Sequence, residues 1–327
     1  MSSLPTFTEE STGFEVSAAL KDQLAGKNVL LTGTSIGGLG FETARAMAPY
    51  VRTLYITGHN AERSKLAQDA LVKEFPTANI RPLLLDLGSL VSVRQVAAEL
   101  NADPEPLHVI IHNAASIGVY YHTPEGFDIQ AAAALFGPFL LTKLLTPKLL
   151  ASSTIPRVVF VSSRRHTFIN SLDWDQVRAG DVAEVANTGP GILQRYSEVK
   201  TMVIALAAEL ARRAEGKMRV YSLHPGIIPT NGYLDKDFLR PTYIATGLLT
   251  EDGQPNFASA LKWKTLSQGA ATPIAAAFDP RLDGDSGSYI VDCVVKNEAA
   301  TTFALSPDTG RRLWDLTEDA LGEKFEL

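Results

Sequence analysis

The chain has 327 residues, enough for two average domains or for one parallel α/β domain with extensions. With 45% hydrophobic and 20% charged residues it can bury a large core, which excludes a chain disordered throughout. Lys+Arg 30 against Asp+Glu 36 leaves a net charge of -6, so there is no polybasic field for nucleic acid or anionic lipid, and a small-molecule substrate is the expected partner.

The first ten residues, MSSLPTFTEE, lack the basic start and apolar stretch of a secretory signal, and 1–24 reads as an N-terminal extension. From there β-rich runs alternate with helical patterns. Strands are expected at 27–32, 52–57, 79–86, 107–112, 157–162, 218–223 and 288–292, and helices near 40–48, 61–74, 89–100, 124–150, 192–215, 265–278 and 307–321. Strands apolar on both faces, separated by helix-length segments, predict a doubly wound α/β fold: a seven-stranded parallel sheet with helices on both faces. The most membrane-like stretch, 131–150, is interrupted by Pro138, Lys143, Pro147 and Lys148 and reads as a buried helix, not a membrane span. The stretch 227–264, punctuated by Gly232, Gly247, Gly253, Pro229, Pro241 and Pro255, is long for a connection and is a candidate substrate lid. The expected organisation is therefore one domain over 25–327 with that lid and a C-terminal tail at 293–327. The single cysteine, Cys293, cannot form an intramolecular disulfide and reads as core filler, so a cytoplasmic location is the default.

Ligands of such sheets bind beyond the carboxyl ends of the strands, so chemistry is sought there. The first strand runs into Gly33-Thr34-Ser35-Ile36-Gly37-Gly38-Leu39-Gly40 and then a helix, a turn whose missing side chains would let backbone N–H groups approach a pyrophosphate. The same residues would also serve as a plain strand–helix turn. Asp86, ending the third strand, could accept a hydrogen bond from an adenine amino group or cap the next helix, a task Ser89 could also perform. Tyr196 and Lys200, four apart in YSEVK, share one helix face, where a nearby ammonium would favour a phenolate at useful pH; the spacing is also common on ordinary helices.

Taken together, the TG…GLG turn (Thr32, Gly33, Gly38, Gly40), LDLGSLVSVR (85–94), HNAA (112–115), VSS (161–163), YSEVK (196–200) and HPGIIPT (224–230) resemble the short-chain dehydrogenase/reductase family, over about Lys27 to Asp292. LKWKTLSQGAAT (261–272) and SGSYIVDC (286–293) look like its retinol-dehydrogenase-like fungal members. The resemblance implies a Rossmann-type fold and oxidoreduction of an alcohol and a ketone or aldehyde with a nicotinamide cofactor. It makes Tyr196 the general acid/base, Lys200 its partner and ribose anchor, and Ser163, not Ser162, the donor to the substrate oxygen, since adjacent strand residues face opposite ways. Cofactor contacts are carried onto Gly33, Ser35, Gly38, Leu39, Gly40, His59, Asn60, Asp86, Leu87, Asn113, Tyr196, Lys200, Pro225, Gly226, Ile228 and Thr230. The subgroup suggests a lipophilic substrate from fungal secondary metabolism.

Three positions depart from the family pattern. Ala134 stands where a fourth catalytic residue, Asn, is usual, and His112 and Ala115 replace Asn and Gly of the NNAG-like motif, which alters the expected packing around the nicotinamide. Pro138 has no N–H for the Ala134 carbonyl, which would leave that acceptor for a relay water to Lys200, or would merely kink the helix. At the second strand end Thr57, Gly58, His59 and Asn60 include no acid to repel a 2′-phosphate, so NADP(H) is favoured over NAD(H), with Asn60 and Arg63 as helpers; His59 could equally be a solvated loop residue. Arg164 and Arg165 could attract an acidic substrate or be a solvated pair, and Tyr120, Tyr121, His122 and Trp174 could shape an aromatic pocket. No metal-ligand spacing and no GxSxG elbow occurs. Besides the oxidoreductase, a non-redox enzyme (cyclase or dehydratase) and a cofactor-binding regulatory protein stay open, as does a homo-oligomer.

Overall fold

The structure is a computed structural model that describes residues 4–179, 187–230 and 236–327. Its sheet contains β1 (Asn28–Leu31), β2 (Thr53–Gly58), β3 (Ile80–Leu84), β4 (Val109–His112), β5 (Arg157–Val161), β6 (Arg219–His224), β7 (Tyr289–Val291) and β8 (Val294–Val295). They lie in the order β3-β2-β1-β4-β5-β6-β7-β8, and β1 to β7 are parallel. The order reverses between β1 and β4, which opens a crevice beyond their carboxyl ends. The sheet is thus the expected one plus a strand. β8 pairs antiparallel with β7 through Asp292 and Cys293, both in the left-handed region at φ 52° and 68°. Such a turn normally advertises itself with Gly or Asn, and here neither is present.

Strand alternation divides the core into two layers. Leu30, Ile110, Val158, Phe160 and Val220 point to one face, under the helices Leu90–Ala102, Gly137–Leu150 and Gly189–Ala214. Val29, Leu31, Ile111, Val159, Val161 and Leu223 point to the other, under Leu39–Met47 and Leu266–Phe278. The N-terminal extension joins this second layer. Its helix Gly13–Ala19 starts at a capping box of Thr12 and Glu15, and Val16, Leu20 and Leu24 are fully buried. Residues 293–327 likewise contribute core: the helix Pro307–Leu321 buries Trp314 completely against Gly189–Ala214.

The helix expected at 124–150 begins later, at Ile129, where the Asp128 carboxylate accepts N–H bonds from Gln130 and Ala131. It passes through a π-helical turn, Ala132–Phe136, before continuing as Gly137–Leu150. The Gly137 N–H reaches back five residues to the Ala132 carbonyl, and Pro138 follows with no N–H to give. By length and mean hydropathy of 1.4 this helix could cross a membrane, but 89% of its apolar window is buried inside the protein.

Residues 227–264, apart from 231–235 with Gly232, which lie outside the described residues, are more regular than expected. They include the helix Arg240–Ala245 and a bridge between Leu249 and Pro255. The two ends meet where Ile227 pairs with Trp263 and its carbonyl accepts the Lys264 N–H at 2.8 Å.

Candidate active site

β1 delivers the chain into the glycine turn at the crevice, and there it is tied to the backbone leaving β4 by side chains from just past both strand ends. Thr32 Oγ1 accepts the N–H groups of Asn113 and Ala114, each at 3.0 Å, while Asn113 Nδ2 donates to the carbonyls of Thr32 and Gly33 at 2.9 Å. Gly33 sits at φ 75°, and a Cβ on it would come within 2.8 Å of Ala114 Cα. A Cβ on Gly40 would lie 2.5 Å from Asn113 Nδ2 and nearer still to the Gly33 carbonyl. The turn therefore needs glycine at both places for close packing, and it presents the N-terminus of Leu39–Met47 to the crevice.

The other wall comes from β5, β6 and Gly189–Ala214. Ser162 is buried, its hydroxyl donating to the Lys200 carbonyl at 2.7 Å, so it ties β5 to the helix. Ser163 faces the cleft, where its Oγ accepts the Arg165 N–H at 3.2 Å, leaving the hydroxyl hydrogen available to a ligand. Lys200 is 2% exposed; its Nζ donates to the Val161 carbonyl at 2.7 Å and lies 5.6 Å from the Tyr196 ring centroid. Burial pushes its ammonium down to about 8, so at neutral pH it keeps the positive charge beside the phenol. One residue before Tyr196, Arg195 Nε bonds Asp128 Oδ2 at 2.7 Å in a buried ion pair that fastens the helix Gly189–Ala214 to the start of the π-containing helix.

These walls enclose a cleft of about 340 Å³. Gly33, Ser35, Gly38, Leu39, Gly40, His59 and Asn113 line one end, and Ser163, Tyr196, Lys200, Pro225, Gly226, Ile228 and Thr230 the other. The glycine cradle, the helix N-terminus and the uninterrupted groove to the Ser163–Tyr196–Lys200 group fit a nicotinamide dinucleotide.

The short chain dehydrogenase family model matches residues 27–169. The short-chain dehydrogenase/reductase prx1 of Penicillium roqueforti is 32% identical over 310 residues, covering 90% of this chain and 85% of its own. The chain belongs to the short-chain dehydrogenase/reductase family. Human retinol dehydrogenase 14 is also 32% identical, over 312 residues covering 91% of this chain and 87% of its own, which makes the chain retinol-dehydrogenase-like. Among solved structures, L-sorbose reductase from Gluconobacter frateurii, complexed with NADPH and L-sorbose, shares the fold with a TM-score of 0.60 at 15% identity, covering 82% of this chain and 95% of its own. Members of this family are oxidoreductases acting on CH-OH and C=O groups, and the fold binds a nicotinamide cofactor.

Within this dehydrogenase/reductase, several expected residues lie elsewhere. Asp86 is exposed at the end of β3 and outside the cleft lining; its Oδ1 accepts the Gly88 N–H at 2.8 Å, and Ser89 caps the following helix. Leu87 is buried in the core. Asn60 caps the helix Ala61–Glu74 and, with Thr34, Ser35, His59, Arg63 and Ser64, lines a small depression adjoining the cleft. The Ser64 hydroxyl is buried there with no protein partner, beneath Gly58, where a Cβ would lie 2.6 Å from it.

His112 does not alter the nicotinamide end directly, because strand alternation turns it from the cleft while Asn113 faces the glycine turn. Its Nε2 pairs with Thr142 Oγ1 at 2.8 Å and its ring stacks on Phe160, centroids 4.7 Å apart; burial pushes its pKa to about 3. Ala115 lines the cleft, whereas Ala134 is buried in the π-helical turn. The expected aromatic pocket does not form around the cleft. Tyr120 pairs with His122 at 2.6 Å, Tyr121 lies near Asp86, and Trp174 stacks under Arg312 on a separate groove. Ile117 and Tyr243 line the cleft instead, together with His224 and Arg165. Ile117 and Tyr243 carried no motif, and only the packing of Ile117 with Ile192, Leu193, Leu239 and Tyr243 brings them over the site.

Proposed function

We propose that this protein is an NADP(H)-dependent oxidoreductase interconverting an alcohol and a ketone or aldehyde on a lipophilic small molecule. The observation that carries the reading is one cleft that joins the glycine turn to Ser163, Tyr196 and Lys200. Gly33, Gly38, Gly40 and Asn113 would hold the pyrophosphate end, and Lys200, Pro225, Gly226, Ile228 and Thr230 the nicotinamide end. When bound, the nicotinamide supplies or accepts hydride. The Ser163 hydroxyl orients the carbonyl oxygen and opposes its developing negative charge, while Tyr196 passes a proton to that oxygen, or takes one in the reverse direction. The buried charge of Lys200 stabilises the phenolate left on Tyr196. Ala134 supplies no side chain to this relay, and the backbone next to Pro138 serves in its place.

NADP(H) is favoured by the depression at the end of β2. Ser35, His59, Asn60 and Arg63 offer hydrogen-bond donors to a 2′-phosphate, and no carboxylate is among the residues lining it. L-sorbose reductase, a structural neighbour, was solved with NADPH. Leu39, Ile117, Ile228 and Tyr243 give the cleft apolar walls suited to a lipophilic substrate. A setting in fungal secondary metabolism and a cytoplasmic location belong to this reading; Cys293, the one cysteine, is buried and unpaired. The test is titration of the purified protein with NADPH and NADH, followed by a carbonyl and alcohol screen read by NADPH absorbance. NADPH should bind more tightly, and His59→Asp should weaken that preference by about tenfold by setting a carboxylate against the phosphate. Tighter binding of NADH by the unmodified protein refutes the cofactor assignment.

A further inference from the structure

His224 closes β6 one residue before the Pro225-Gly226 turn, opposite Val291 of β7, and it lines the same cleft as Ser163 and Tyr196. Its Nδ1 accepts the backbone N–H of Arg164 at 3.2 Å. A peptide N–H is only ever a donor, so Nδ1 carries no hydrogen and the neutral ring must carry it on Nε2. The ring is neutral: burial first, then the positive charges of Lys264, His166 and Arg164, push its pKa down to about 3. Lys264 lies against Gly226 and is paired with Asp292, and His166, also lowered by burial, holds its Nδ1 against the Ser163 carbonyl.

Two consecutive peptide N–H groups thus anchor two neighbouring cleft groups. That of Arg164 holds the His224 ring, and that of Arg165 holds the Ser163 hydroxyl. Each leaves the held group with one hydrogen to donate, and among the described residues nothing accepts from His224 Nε2. The cleft accordingly presents a second donor next to the one aimed at the reacting oxygen.

Resting on the oxidoreductase reading above, we propose that His224 is a specificity residue whose Nε2–H binds a second oxygen of the substrate, on the carbon next to the reacting carbonyl or one beyond it. The substrate class is therefore a hydroxyketone, diketone or keto ester, not a simple ketone. A lone carbonyl would satisfy Ser163 and Tyr196 but leave the imidazole N–H, once desolvated by the ligand, without a partner.

The experiment compares an aliphatic monoketone with the diketone of equal chain length, in the unmodified protein, His224→Gln and His224→Leu, with the NADPH dissociation constant measured for each. Glutamine can accept from Arg164 with its carbonyl and still donate with its amide; leucine can do neither. The ratio of kcat/KM for diketone over monoketone should be at least about tenfold in the unmodified protein, be largely kept by His224→Gln and collapse in His224→Leu. If no turnover is seen with either ketone, the oxidoreductase reading fails, and calorimetric dissociation constants for the same pair read the same ratio. A ratio near one in the unmodified protein, or one unchanged by His224→Leu, overturns the proposal. So does an equal loss for both ketones accompanied by weaker NADPH binding, which would assign the N–H to the nicotinamide carboxamide. Should His224→Leu not fold, loss of the ratio in His224→Gln with NADPH binding intact overturns it as well.

Discussion

The two ends of the cleft are built by different means. At the glycine turn, backbone packs on backbone: Gly33, Gly40, Thr32 and Asn113 meet within hydrogen-bond or closer-than-Cβ distance, where the ends of the adjacent strands β1 and β4 meet the first turn of the helix Leu39–Met47. At the substrate end, the walls come from the start of one helix, a loop after β4 and the helix Arg240–Ala245, joined by the small cluster of Ile192, Leu193, Leu239, Tyr243 and Leu249. The first end has almost no room for substitution. The second can change its side chains and keep its fold, which is how a single scaffold comes to take different substrates.

The largest effect is expected where both ends converge. Tyr196→Phe should lower turnover by about a thousandfold or more while cofactor affinity stays within about twofold, because the phenol moves a proton and Lys200 remains. Steady-state kinetics beside a binding titration checks this, and retained activity removes Tyr196 from the chemistry.

Glycine substitutions test the contrast itself. Gly40→Ala should abolish measurable NADP(H) binding and destabilise the fold by about 2 kcal/mol or more, since its Cβ meets backbone on one side and Asn113 on the other. Gly247→Ala, at φ 69° with nothing within 4 Å of the added carbon, should cost only about 1 kcal/mol and leave the cofactor bound. Denaturant titrations of the two variants, with and without NADPH, compare them directly; equal losses would erase the distinction between the two ends.

Behind the cleft, the core carries a buried acid sensitivity. His112 is neutral when folded, with a pKa of about 3 against 6.5 for the free side chain, so the unfolded chain binds the extra proton. Its stabilising share is complete above pH 6.5 and is lost as pH falls from there towards 3. His112→Asn should flatten the stability profile over that window by a few kcal/mol, measured as denaturation midpoints across pH; an unchanged slope would mean that other groups set it.

The smallest expected effect is at the segment 227–264. We propose that it acts as a lid, hinged where Ile227 meets Trp263 and Lys264, with Thr230 engaging the nicotinamide carboxamide. Amide hydrogen exchange over its described parts should slow several-fold when NADP(H) and a substrate analogue bind together. Equal exchange with and without them would make the segment scaffold.

Much of this was legible beforehand because it is local. A glycine turn after an apolar strand, Tyr196 and Lys200 one helical turn apart, and strands apolar on both faces are each written in a few consecutive residues, and the helices at 61–74 and 307–321 have the expected limits. The partners that side chains choose, even two residues away, and relations between distant residues were not legible. Nothing near Asp86 says that its carboxylate turns back onto Gly88, and nothing near Tyr120 says that it pairs with His122 instead of facing the cleft. Asp292-Cys293 hides a hairpin because its left-handed backbone is imposed by β7 and β8, not invited by glycine. The π-helical turn at 132–136 announces itself only through Pro138, and the Asp128–Arg195 pair spans 67 positions in the chain.

By itself the sequence determined the order of strands and helices and the face on which Tyr196 and Lys200 lie, since short-range periodicity fixes these without reference to the rest of the chain, and its ordered motifs resembled the family that the relatives then showed. Only the tertiary structure decided which residues stand around the reacting groups. Ile117, Tyr243 and His224 arrive from a loop, a helix and a strand end far apart in sequence, and the proton on the His224 ring is placed by a peptide N–H 60 residues away. Packing geometry and hydrogen-bond direction are properties of the assembled cleft, and no stretch of the chain contains them alone.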